Sequence, residues 1–171
     1  MIRILGATLI IGASAAIGFS SVRRMQLRVH VLSSLLVSIE TIKNEICDRL
    51  TPLPELFARL AAETESPVKF LFARLAVQMD ELGDMSFYAI WEKAIEKTPD
   101  LELTPAEKRT LTDLGRTLGR YDIEEQRVAC NYTMRRLETY LQKAEAERRN
   151  QGKVHAALSV IAGVFVVIIL L

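Results

Sequence analysis

Catalysis needs nucleophilic, titratable or metal-ligating side chains at spacings that a fold can bring to one point. This 171-residue chain has few of them: two histidines, His30 and His155, and two cysteines, Cys47 and Cys130. It contains no HExxH, P-loop or GxSxG motif, and no Cys/His spacing suited to zinc. Both histidines lie beside long apolar ends and far in sequence from any carboxylate cluster, so they read as interfacial side chains. The cysteines stand far apart with no CxxC pair, and read as two small core hydrophobes in a reducing compartment. Asp80-Glu81-Asp84 and Glu124-Glu125 are the acidic groupings. Their members do not all share one helix face, so a solvated surface is favoured over a metal site. The basic pairs Arg23-Arg24, Arg135-Arg136 and Arg148-Arg149 lack interleaved aromatics in a chain of net charge +1, which argues against nucleic acid. The expectation is no catalytic residue, no cofactor and no metal. Asp80, Glu81 and Asp84 are kept as a candidate partner surface.

The elements that carry these residues follow from how charge is segregated. Arg3 is the only charge before Arg23, none follows Lys153, and every acidic residue lies between Glu40 and Glu147. Each uncharged end makes a helical rod of roughly 27–28 Å, close to the hydrocarbon thickness of a bilayer. The sequence therefore divides into an N-terminal transmembrane helix over 1–22, an all-helical domain over 23–153 and a C-terminal transmembrane helix over 154–171. Met1 to Ala16 also has the form of a cleaved signal peptide, with Ala13-Ser14-Ala15 as its small-residue site. Against cleavage, the apolar run continues through Phe19 into Arg23, Arg24 and Arg28, which resist translocation. Those arginines, with Lys143, Arg148, Arg149 and Lys153, flank the middle domain, and only Arg3 lies beyond. The positive-inside rule then puts the domain in the cytoplasm and both termini outside. The outermost basic pairs would face the anionic inner leaflet.

Within the domain, Leu32, Leu35, Ile39, Ile42 and Ile46 step by three and four along a helix running from the first span to about Leu50. Thr51-Pro52-Leu53-Pro54 breaks it. A short helix follows over about 55–62. Ser66 and Pro67 read as N-cap and first residue of a helix reaching Leu82, with Gly83 as stop. Ser86 caps a helix with Phe87, Ile90, Trp91 and Ile95 on one side, which makes Trp91 a core residue. Thr104-Pro105-Ala106-Glu107 is a capping box opening a helix that runs to Gly119. Asp122 caps the last helix, whose stripe of Cys130, Met134, Leu137, Leu141 and Ala144 leads without a break into the second span. The fold expected is all-α: a helical bundle of about six helices between two transmembrane helices, the first and last long helices continuous with the spans.

One local feature is odd. Gly115 falls within a helix, where glycine costs about 1 kcal/mol relative to alanine. Its presence implies that another backbone or a ring approaches closely. With Gly119, Tyr121 and Asp122 it reads as a tight corner joining two packed helices, and alternatively as a docking surface.

Leu114-Gly115 through Gly119-Arg120-Tyr121-Asp122, with Gln126 one turn on, and Leu50-Thr51-Pro52-Leu53-Pro54-Glu55 resemble the signature segments of the stage III sporulation protein AB family. The resemblance extends over the whole chain, including the span at each end and Arg23-Arg24 after the first. It implies a role in endospore formation, within a channel linking mother cell and forespore. It also implies a helical domain similar to that of the F-type platform proteins of type II secretion systems. By that resemblance the partners are a cytoplasmic secretion-type ATPase, stage III sporulation protein AA, and other channel subunits, with a homo-oligomer open. The competing readings are a membrane-anchored helical adaptor unrelated to secretion, a metal-dependent hydrolase using the acidic groups, and a secreted helical protein with a tail anchor.

Overall fold

A computed structural model describes the backbone of residues 2–79, 85–120 and 122–170, and the side chains of residues 23–79, 85–120 and 122–150. Among these there are six α-helices and no strand: α1 (Ile2–Cys47), α2 (Leu53–Glu63), α3 (Val68–Gln78), α4 (Phe87–Glu96), α5 (Pro105–Leu114) and α6 (Ile123–Leu170). A 3-10 turn at Pro99–Leu101 precedes α5. The expected all-α class and helix number are what the fold shows. α1 and α6 carry helix through both apolar ends. Among the described residues no helix is long and apolar enough to cross a membrane. The side chains of the two expected spans lie outside those residues.

The chain forms two compact units, one of residues 1–29 with 142–171 and one of residues 30–141. In the first, Arg28 Nη1 donates to Glu147 Oε2 at 3.0 Å, tying α1 to α6. In the second, the same two helices run antiparallel, with Lys43 Nζ donating to Asn131 Oδ1 and Arg127 Nη2 to Asp48 Oδ1. The predicted stripe of α1 is buried from Leu32 to Ile46. On α6, Cys130 and Leu137 are buried, while Met134 and Leu141 are half-buried.

Between the long helices, Phe57 of α2 is the meeting point of the shorter ones. Its ring lies 6.2 Å from Phe72 of α3, 6.0 Å from Phe87 and 6.1 Å from Trp91 of α4. Such pairs add to the area they bury through edge and offset contacts. Ser86 caps α4 by accepting from the Ala89 amide. Thr104 and Glu107 form the reciprocal capping box, Thr104 N donating to Glu107 Oε2 at 2.8 Å.

Several helix boundaries differ from the sequence reading. Ser66 does not cap α3, because Pro67 itself occupies the N-cap position. The Ser66 carbonyl instead lies 3.2 Å from His30 Nε2. The expected end of α3, at Leu82 and Gly83, lies outside the described residues. α5 stops at Leu114 rather than Gly119: the amides of Gly115, Arg116 and Thr117 each turn back to a carbonyl three residues earlier.

α1 also ends early, at Cys47, for a traceable reason. Glu45, 6% exposed, accepts from Thr51 Oγ1 at 2.6 Å and Arg49 Nη1 at 2.7 Å, and pairs with Arg59 Nη2 of α2 at 2.7 Å. Thr51 N also donates to the Glu45 carbonyl. To bring Thr51 back onto Glu45, Leu50 adopts φ 58°, the left-handed region that suits glycine and costs an L residue about 1–2 kcal/mol.

The hydrogen bond to Arg59, followed by that to Thr51, holds the Glu45 carboxyl at a pKa of about 2, against an ordinary 4.5. A lowered carboxylate pKa stabilises the fold above the unfolded value, and that contribution is lost as pH falls through the folded one. Glu45→Gln should therefore destabilise the protein at neutral pH. Chemical melts between pH 5 and 2 should show the difference from wild type shrinking across pH 4.5 to 2. A constant difference across that window would contradict this role.

Candidate functional site

The residues from Leu111 to Gln126 form a corner built around one indole. Trp91 is 1% exposed and donates from Nε1 to the Leu111 carbonyl at 2.7 Å. That carbonyl would accept from the Gly115 amide in a continued helix, but the Gly115 amide has turned to Thr112. Ending α5 at Leu114 thus frees the acceptor that the buried indole needs. Gly115 leaves room for the ring as well: a Cβ there would meet Trp91 Cδ1 at 2.4 Å. The close approach of a ring, read from the sequence, is the reason for this glycine. Its place is at the C-cap of α5 rather than mid-helix.

Gly119 closes the corner at φ 79°, again a left-handed backbone. Gln126, buried at 3%, clips both sides of it. Its Oε1 accepts from Gly119 N at 3.1 Å and its Nε2 donates to Arg120 O at 2.6 Å. Asp122 Oδ1 accepts from Glu125 N at 3.1 Å and caps α6 as expected. Tyr121 lies outside the described residues.

The second segment singled out by sequence meets the first. A Cβ at Gly119 would lie 3.2 Å from Leu53 Cδ1. Cys47 Sγ faces the Ile123 carbonyl at 3.8 Å, and Arg127 bonds Asp48 at 3.0 Å and Glu124 at 3.5 Å. Leu50–Glu55 and Leu114–Asp122 therefore form one end of the 30–141 unit. Sequence reasoning named the corner glycines but missed Glu45 and Arg59, whose pairing depends on a helix contact. It quoted Gln126 without its role, although an amide one turn into a helix after a glycine stop is a signal for such a clip.

The arrangement offers little to reaction chemistry. Burial pushes the Cys130 thiol up to about 12 and raises Cys47 as well, so neither supplies a thiolate at neutral pH. A groove of about 380 Å³ beside α1 is lined by His30, Ser34, Ser38, Thr41, Glu63 and Glu65, among others. Two of its hydroxyls are committed to their own helix, Ser38 donating to Ser34 O and Thr41 to Val37 O. His30 Nε2 lies 3.2 Å from Ser66 O and 3.6 Å from Glu65. His30 is thus a link between α1 and the α2–α3 turn rather than only an interfacial group. A second groove of about 440 Å³, between α4 and α5, places Arg116 4.4 Å over the Tyr88 ring and within 3.3 Å of Asp113. Among the described residues, no three His, Cys, Asp or Glu side chains lie together as a metal site. Asp80, Glu81 and Asp84 lie outside the described residues.

Fold and site define an all-α protein whose most constrained residues shape a surface at one end of a helical unit. A family model described as stage III sporulation protein AB matches residues 3–171, and the chain belongs to that family. It is 27% identical over 172 residues to stage III sporulation protein AB of Bacillus subtilis (strain 168), covering 100% of both chains. A solved structure of stage III sporulation protein AB matches with a TM-score of 0.68 at 27% identity, over 72% of this chain and 98% of that one. Family and relatives are named for sporulation rather than for a catalysed reaction.

Gly115→Ala should force the Trp91 ring from its seat. We expect a loss of about 1–3 kcal/mol in urea unfolding, with a red shift in emission from this sole tryptophan. Unchanged stability and emission would show that the ring and the glycine are not in contact.

Proposed function

We propose that the protein is a non-enzymatic membrane platform subunit of the mother cell–forespore channel required for endospore formation. In this reading the apolar ends, 1–22 and 154–171, anchor it as two spans. The 23–153 domain faces the mother-cell cytoplasm and engages a secretion-type ATPase, stage III sporulation protein AA.

The observation that carries the reading is family membership over residues 3–171, joined to the meeting of both signature segments at one end of the 30–141 unit. The distribution of charge supports the orientation: Arg23, Arg24, Arg148 and Arg149 are exposed beside the apolar ends, on the side that the positive-inside rule keeps in the cytoplasm. Buried, protonated thiols and hydroxyls bonded to their own helix support a scaffold rather than a catalyst.

Alkaline phosphatase inserted at the exposed Glu102 turn should be inactive in cells, whereas a fusion following Leu171 should be active. The reverse pattern would overturn the orientation. A C-terminal fusion lacking activity beside an inactive Glu102 insertion would remove the second span.

A further inference from the structure

We infer that the chain pairs with a second copy of itself through the outer faces of α1 and α6, about a two-fold axis parallel to those helices. Glu40 of each copy then meets Arg135 of the other. The pairing is independent of the ATPase and compatible with the platform reading.

Each long helix carries an exposed stripe opposite its buried one. On α1 it is Ser33, Val37, Glu40 and Asn44, behind the buried run from Leu32 to Ile46. On α6 it is Val128, Tyr132, Arg135 and Thr139, behind buried Cys130 and Leu137. Both stripes step by four, three and four, the spacing of one helix face. Lys43 meets Asn131 and Asp48 meets Arg127 along the flanks of the two helices. The stripes therefore stand side by side on the outside of the 30–141 unit. Val37, Val128 and Tyr132 are each more than half exposed there, so covering them would stabilise a complex.

The same two contacts fix the register. α1 descends as α6 climbs, so Glu40 stands level with Met134 and Arg135. Val37 stands level with the gap between Arg135 and Thr139, and Tyr132 with the gap between Glu40 and Asn44. A two-fold axis along the helices preserves these heights, so each α1 lies on the second copy's α6 with both apolar side chains entering gaps. Glu40 faces Arg135 twice, and among the described residues neither has a hydrogen-bond or ion-pair partner in its own chain. Glu40 is the one exposed charge on α1 between residues 30 and 47. On α6, exposed Arg136 and Glu138 stand roughly a quarter-turn to either side of the stripe, and Arg136 is stacked on Tyr140. Beyond the stripes, Arg127 takes up Asp48 and Glu124, and exposed Arg49 is level with exposed Glu125. A face with both signs at matching heights complements itself rather than a surface of one sign. Both copies also enter and leave the 30–141 unit at the same end, as two chains anchored in one bilayer require.

Sedimentation of the full-length chain in detergent micelles tests the pairing, with Glu40→Arg, Arg135→Glu and the doubly reversed protein measured beside wild type. Wild type should be dimeric. Each single reversal sets two like-charge contacts in the dimer and should weaken association by about tenfold or more. The double reversal should restore it, which a merely structural role for either residue would not allow. A mixture of Glu40→Cys and Arg135→Cys chains, oxidised with copper phenanthroline, should cross-link to each other in preference to themselves. A monomeric wild type, single reversals that associate as wild type, a double reversal without rescue, or cross-linking of like with like would each overturn the pairing. None of these results would bear on the anchoring or on the ATPase.

Discussion

The seat of Trp91 against Gly115 is the contact on which the 30–141 unit turns. A buried indole N–H must find an acceptor, and the Leu111 carbonyl becomes available because α5 gives up its helical hydrogen bonding after Leu114. The same indole meets Phe57 and Phe87, and Phe57 stacks on Phe72. One side chain thereby couples the end of α5 to α2, α3 and α4. Because the ring fills the space where a Cβ would stand, the early stop of α5 and the packing of α4 are two sides of one constraint.

From that stop the rest of the corner follows. The chain must turn through Gly119 and start α6 at once, with Asp122 and Gln126 satisfying the backbone groups exposed by the turn. α6 can then run back along α1 in the register set by Asp48 with Arg127 and Lys43 with Asn131. At the other side of the same end, Glu45 performs the matching task with charge rather than an aromatic ring. It ends α1 early, ties it to α2 through Arg59 and holds the Leu50 turn.

Much of this was legible in the sequence wherever the cause is local. The stripe from Leu32 to Ile46, the Ser86 cap, the Thr104–Glu107 box and the Asp122 cap depend on residues within a turn or two of each other, and they occur as read. Gly115 was legible too, since a glycine amid helix formers needs a close neighbour, although that neighbour was not identifiable. What escaped depends on contacts between distant segments. The length of α1 is set by Glu45 reaching Thr51 and Arg59, and the end of α5 by a tryptophan twenty residues earlier. Ser66 looked like a cap because serine before proline usually is one. The His30 contact at the Ser66 carbonyl could be seen only once α1 and the α2–α3 turn were placed together.

The central claim is that two sequence segments, 48–55 and 115–127, meet to form one rigid end of the unit. Hydrogen–deuterium exchange on the full-length chain tests it most directly. The account predicts that peptides from both segments exchange slowly in the wild-type chain and lose protection together in Gly115→Ala. Fast exchange in either segment of the wild-type chain, or loss of protection in only one of the two, would contradict it.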